Sequence, residues 1–202
     1  VCSIWDPWPD LDTDSKDIPC NDTLKFEARN GWLNLTVFCR SNDIVWGAYG
    51  ANMVQFSMIQ EYVAAMAGLP LGAYEQISCN FHAYTNVVSS KISPVKLLDP
   101  YTQGEVVTWP LVHDPVTWDT ELGTFLAHVD ADRTTDDDYW HSGAVGYNNT
   151  FFQVVADPMY FAWLCYKEGR HGQGIDLLRD IAPMHNDWAT AGRQWLERRI
   201  KP

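Results

Sequence analysis

The chain has 202 residues, enough for one domain of ordinary size with its own core and short for two. Apolar residues make up 46% and charged residues 20%, which excludes a disordered, collagenous or heptad-repeat chain. With 14 Lys plus Arg against 26 Asp plus Glu the formal net charge is -12, so the surface repels phosphate backbones and anionic lipid, and neither nucleic acid nor membrane is expected as a partner. In chain order, residues 1–19 carry four Asp before Lys16 and prolines at 7, 9 and 19, and read as an irregular acidic lead-in. Asn30-Gly31 between Leu24–Arg29 and Trp32–Arg40 predicts a tight hairpin, with Leu33, Leu35, Val37 and Cys39 on one face of the second strand. Met53, Phe56, Ile59, Val63 and Met66 recur at helical spacing and predict a helix over 52–67, capped by Asn52 and stopped by Gly68 and Pro70. Residues 74–84 read as a further strand and 91–119 as turn-rich. Asp130–Tyr139 reads as a solvated acidic loop. Helices are predicted over 151–169, 174–182 and 188–200, the last with Arg193, Arg198 and Arg199 on its polar side. The expected class is α+β, a single domain over 1–202 with helices packed on a sheet and a helical extension from about 150.

Five cysteines at 2, 20, 39, 79 and 165 include no Cys-x-x-Cys pair and no zinc-type spacing, so reduced thiols in the cytoplasm and no metal are expected. Asn-x-Thr triplets at Asn21, Asn34 and Asn148 would be glycosylation acceptors only in a secreted chain. No apolar run approaches the ~20 residues needed to span a bilayer.

A few residues are candidates for chemistry. Cys20 after Pro19 is either a nucleophile or a small buried hydrophobe. Arg40-Ser41-Asn42-Asp43 directly after a strand offers a guanidinium and a hydroxyl to a phosphate, or else an Arg-Asp surface pair. His82 and Tyr84 on one strand face would suit a sugar hydroxyl, or a packed core His beside a Tyr. His128, Asp130 and Asp132, if they alternate on a strand, offer a weaker metal-hydrolase reading.

Taken in order, Pro19-Cys20, Arg40-Ser41-Asn42-Asp43, Gly47, Asn52, Gly72, Asn80, His82 and Tyr84 resemble the nucleotide-binding half of the thymidylate synthase superfamily, which includes the pyrimidine nucleotide hydroxymethylases. The resemblance runs continuously from about residue 18 to 86. It implies a thymidylate synthase-like sheet and a homodimer that transfers one carbon from 5,10-methylenetetrahydrofolate to C5 of a pyrimidine deoxynucleotide monophosphate. Cys20 as thiolate would add to C6, making C5 nucleophilic. Arg40 would bind the phosphate and support the thiolate by its charge, and Ser41 would add a phosphate hydrogen bond. Asp43 would face the folate pterin, Asn52 would read the base edge, and His82 with Tyr84 would hold the deoxyribose 3'-hydroxyl.

The chain departs from the family pattern in several places. Asn21 stands where many synthases have His, Asn80 where Asp is common, and one extra residue separates Gly47 from Asn52. The chain ends Arg198-Arg199-Ile200-Lys201-Pro202 without the short apolar tail of the synthases, and residues 1–19 lack the segment that family members carry before the nucleophile. The sequence therefore looks like the second part of such an enzyme. Asn52 can donate to O4 and accept from N3–H of uracil, which favours dUMP over dCMP or CMP. The leading expectation is a thymidylate synthase-like methyltransferase on dUMP. The alternative is a 5-hydroxymethylase, in which water rather than hydride completes the reaction. A non-catalytic nucleotide- or partner-binding module is the alternative of another class.

Overall fold

The computed structural model describes residues 1–11, 14, 18–91, 99–132, 146–180 and 186–200. They fall in two compact units, Val1–Lys96 and Leu97–Pro202, each with its own core.

The first unit opens with a short strand, β1 (Cys2–Ser3), and one turn and a half of helix, α1 (Pro7–Leu11), so the lead-in expected to be irregular is partly ordered. β1 pairs antiparallel with β2 (Asn21–Arg29), and β2 with β3 (Trp32–Cys39). Asn30 and Gly31 close that hairpin at φ 53° and 81°, the double left-handed turn that their side chains permit and that matches strand twist. β3 alternates as its sequence predicts, with Leu33, Leu35, Val37 and Cys39 all buried. After β4 (Asn42–Asp43) the chain winds through a π-type segment, Ile44–Ala51, kinked at Gly50, into α2 (Asn52–Met66). β5 (Leu71–Ser78) returns parallel to β3, giving a mixed sheet in the order β1-β2-β3-β5. β6 (Phe81–His82) pairs in parallel with β4, and α3 (Thr85–Lys91) follows. The predicted strand over 74–84 is therefore two strands broken at Cys79-Asn80.

Two expectations about α2 are corrected. Asn52 is not its cap: winding starts eight residues earlier, where the Asp43 carboxylate accepts from the backbone N–H of Val45 (2.9 Å) and Trp46 (2.6 Å). The buried face is Phe56, Gln60 and Ala64, whereas Met53, Ile59 and Met66 are each more than a third exposed. Gln60 is buried for a reason that apolar periodicity does not carry. The β3/β5 register shifts between Leu33 and Leu35, and the Gln60 amide donates to the carbonyls of Leu33 (2.9 Å) and Ala73 (3.1 Å) at that irregularity, while Asn34 Oδ1 accepts from Ala73 N–H (2.8 Å). Phe56 joins Leu24, Leu35, Val37 and Cys39 in the core, with Phe26 and Tyr74 packed against them.

The second unit is helical: α4 (Trp118–Asp132), a π-type turn Phe152–Ala156 running into α5 (Asp157–Lys167), α6 (His171–Asp180) and α7 (Asp187–Glu197). Ala162, Ile175, Leu178 and Leu196 join α5, α6 and α7, with Met159, Tyr166 and Trp195 against them. Asn186 caps α7, its side chain accepting from Ala189 N–H at 2.7 Å. A second centre surrounds Asn149, fully buried: its Oδ1 accepts from the N–H of His113 and Asp114, and its Nδ2 donates to Glu121 Oε2. Burial opposes the charge on Glu121, but the N–H groups of Asn148 and Asn149 and the Asn149 amide outweigh it and hold the carboxyl below its usual range.

The strand reading of His128, Asp130 and Asp132 is overturned, since all three lie on α4, where alternate positions do not share a face. The first three residues of the expected acidic loop belong to that helix, and 133–139 lie outside the described residues. Among the described residues no helix is long and apolar enough to cross a membrane.

Candidate functional site

The hairpin and the β3–β4 connection bring the Cys20 and Arg40 segments together. Cys20, exposed, precedes β2, and Arg40, exposed, follows β3; Arg40 N–H donates to the Cys20 carbonyl at 2.9 Å. The guanidinium turns back over the same loop. Its Nε donates to the Pro19 carbonyl (2.8 Å) and its Nη2 to the Ile18 carbonyl (2.9 Å), with Cys20 Sγ 3.9 Å from Nη2. Arg40 thus fixes the backbone that carries the thiol, and among the described residues Nη1 keeps its two N–H groups. Ser41 is half-buried and its hydroxyl makes no hydrogen bond among the described residues.

Asn52 sits at the inner end of the same group. Its Nδ2 donates to Asn42 Oδ1 (3.1 Å), and its Oδ1 accepts from Asn21 Nδ2 (3.3 Å), the residue next to Cys20. Among the described residues one N–H and one lone pair of the Asn52 amide remain. Asn42 is 2% exposed and continues the network, its Nδ2 donating to Gln76 Oε1 (2.9 Å) and Ser78 Oγ (3.0 Å). Gly47 makes room for it: a Cβ there would lie 2.3 Å from Asn42 Oδ1. Asn42, Ala48, Tyr49, Met53, Tyr74, Gln76, Ser78 and Phe81 line a cleft of about 410 Å³. The sequence assigned no site role to Asn21, Asn42 or Gln76. The only available signal was the amide at three positions, two of them within motifs.

Asp43 uses Oδ1 to cap the winding above it, whereas Oδ2 is buried with no hydrogen-bond partner among the described residues. A buried carboxylate oxygen without a partner is an acceptor waiting for a donor, and the N–H-bearing edge of a pterin would supply one. In that respect the site fits a folate. The β4/β6 register sets Asp43 opposite His82. His82 Nδ1 lies 3.4 Å from the Asn80 carbonyl, and its ring meets Tyr84 edge-on at 5.3 Å between centroids. Tyr84 lies beyond the strand, where its carbonyl accepts from Val87 and Val88 N–H at the start of α3, so the pair is held by ring contact and not by a shared strand face. Among the described residues no group of three His, Cys, Asp or Glu side chains is placed to hold a metal ion.

Parts of the chain are similar to known proteins. The family model for thymidylate synthase matches residues 1–97. A deoxyuridylate hydroxymethyltransferase of Pseudomonas phage M6 is 39% identical over 216 aligned positions, covering 98% of this chain and 57% of that protein. The deoxyuridylate hydroxymethyltransferase of Bacillus phage SP01 is 44% identical over 94 residues, 46% of this chain and 24% of the relative. A putative thymidylate synthase of Methanosarcina acetivorans is 37% identical over 76 residues, 38% of this chain and 35% of its own. The solved thermostable thymidylate synthase A of Bacillus subtilis aligns with a TM-score of 0.36 at 28% identity, over 44% of this chain and 31% of that one. The chain therefore spans little more than half the length of the M6 relative and less of the others.

Proposed function

From the match of residues 1–97 to the family model for thymidylate synthase, we propose that the chain transfers one carbon to C5 of deoxyuridylate and that the product is the 5-hydroxymethyl nucleotide. The observation that carries the second half of this reading is the extent of similarity. The match to the M6 deoxyuridylate hydroxymethyltransferase runs through both units, while the match to the putative synthase of M. acetivorans covers 38% of the chain.

In this reading the Cys20 thiolate adds to C6 of the uracil ring, and the electron pair released toward C5 forms the new carbon–carbon bond. The folate co-substrate, 5,10-methylenetetrahydrofolate, supplies that carbon at the oxidation level of formaldehyde. Loss of the C5 proton with cleavage of the carbon–nitrogen bond to tetrahydrofolate, which departs, leaves an exocyclic methylene; water adds to it and Cys20 then departs from C6. The balance is deoxyuridylate, methylenetetrahydrofolate and water giving 5-hydroxymethyldeoxyuridylate and tetrahydrofolate, with no change of folate oxidation state beyond the carbon lost. Arg40 has its Nη1 pair for the 5'-phosphate while its other nitrogens hold residues 18 and 19. Ser41 supplies a hydroxyl to the same phosphate, His82 and Tyr84 meet the 3'-hydroxyl, Asn52 offers its remaining N–H and lone pair to O4 and N3–H, and Asp43 Oδ2 accepts from the pterin. The enzyme acts in the cytoplasm as a homodimer, a reading supported by the family resemblance and by exposed free thiols at Cys2, Cys20 and Cys79.

The test is product analysis with the full-length protein. Deoxyuridylate and methylenetetrahydrofolate should yield a nucleotide heavier by CH2O with no rise in dihydrofolate absorbance. A product heavier by CH2 accompanied by dihydrofolate would establish the methyl-forming branch instead, and absence of any C5 product would overturn the proposal.

A further inference from the structure

A run of hydrogen bonds leads from Asn52 into the sheet, and its direction is set where it ends on a backbone carbonyl. At one end the Ala48 backbone carbonyl, which only accepts, takes a hydrogen bond from Gln76 Nε2 (3.1 Å). Gln76 must then present Oε1 to Asn42, whose Nδ2 donates to it at 2.9 Å, and Asn42 in turn presents Oδ1 to Asn52 Nδ2 at 3.1 Å. At the other end the Cys39 thiol donates to Asn21 Oδ1 (3.1 Å), which turns Asn21 Nδ2 toward Asn52 Oδ1 (3.3 Å). Burial, with Asp22 nearby, pushes that thiol up to about 11, so it keeps its proton. A protonated thiol can accept as well as donate, as Cys39 Sγ does from Asn42 Nδ2, so the Ala48 carbonyl sets the orientation of the Asn52 amide and the Cys39 end is compatible with it. Ser78 Oγ also accepts from Asn42 Nδ2 (3.0 Å), but a hydroxyl donates as readily as it accepts and sets no direction.

The orientation matters because uracil and cytosine differ by the same exchange. Uracil shows a donor at N3–H and an acceptor at O4; cytosine shows an acceptor at N3 and a donor at the 4-amino group. Turning an asparagine amide by half a revolution exchanges its oxygen and nitrogen, so an unrestrained Asn reads either base equally well. We propose that Gln76 and Asn42 are positioning residues for base selection: the Ala48 carbonyl, acting through them, locks Asn52 in the orientation that accepts uracil and rejects cytosine. This rests on the assignment of Asn52 as the base-reading residue. Discrimination follows because accepting cytosine requires turning the whole run, and that sets oxygen against the Ala48 carbonyl oxygen, a buried mismatch at an end that cannot adapt.

Two variants of the full-length protein test the inference: Gln76→Leu, which removes the polarity, and Gln76→Glu, whose carboxylate still only accepts from Asn42 Nδ2. Dissociation constants for dUMP and dCMP are measured by calorimetry, and the side-chain amide signals of Asn52 are followed by NMR with no nucleotide present. Gln76→Leu should lower the dUMP-over-dCMP preference at least about tenfold and split or broaden the Asn52 amide pair. Gln76→Glu should keep the preference within about threefold and the amide signals single. A Leu variant with unchanged preference and one sharp amide pair overturns the proposal, as does a Glu variant that loses preference as the Leu variant does. Should Gln76→Leu fail to fold, the Glu variant decides alone by the same criterion. A wild-type protein that binds neither nucleotide would sink the base-reading assignment, whereas the nucleotide-free amide spectra would still report whether the run is locked.

Discussion

Arg40 commits Nε and Nη2 to the carbonyls of Pro19 and Ile18, so the residue expected to hold a phosphate also holds the loop from which Cys20 projects. Removing the thiol leaves that scaffold intact. Cys20→Ala should therefore lower turnover by roughly 10³-fold or more while nucleotide affinity, measured by calorimetry, stays within about threefold. Comparable losses of affinity and turnover would mean that Cys20 serves binding and not bond formation. Residues of this kind were legible in the sequence because a nucleophile, a guanidinium and a base-edge amide occur in a recognisable order. Asn42 and Gln76 were not. They lie 34 residues apart, and only the parallel pairing of β3 with β5 brings the Gln76 amide to Asn42.

At the level of elements, Asp43 ties the winding after β4 to the proposed folate contact, through different oxygens. The two roles separate by substitution. Asp43→Ala removes the cap and should cost about 1 kcal/mol in denaturant unfolding as well as raise the folate KM. Asp43→Asn keeps an oxygen for Val45 and Trp46 N–H and should leave stability unchanged within about 0.5 kcal/mol, while still raising the folate KM by exchanging a charged acceptor for a neutral one. An Asn variant with wild-type KM would remove Asp43 from the cofactor site. The hairpin and the end of α2 were readable because Asn30-Gly31 and Gly68-Leu69-Pro70 act through local backbone preference. The start and face of that helix were not. Gly47 and Gly50 obscure the winding from Ile44, and Gln60 is buried to satisfy carbonyls at a strand irregularity, which no apolar stripe announces.

Across the whole molecule, an excess of carboxylates makes acid the condition under which stability is tested. Glu121 supplies one definite term. Its carboxyl lies below the ordinary 4.5 in the folded chain, so the stability it contributes is fully present above that value and is lost as pH falls toward its folded value. Glu121→Gln retains a single carbonyl oxygen for the N–H groups of Asn148 and Asn149. It should cost about 1–3 kcal/mol near neutral pH and flatten the acid limb of a plot of Tm against pH. An unchanged acid limb would assign that loss to other carboxylates. The two units also differ in what they share with relatives, since the family model stops at residue 97 while the M6 hydroxymethyltransferase aligns through both. Whether they open together is recorded in the chain's own chemistry. Cys39 is buried in the first unit and Cys165 in the second, each thiol pushed up by burial. Each unit therefore carries an internal clock of exposure. Timed alkylation followed by peptide mapping would read the two openings from one sample, free of the fluorescence overlap that ten tryptophans impose.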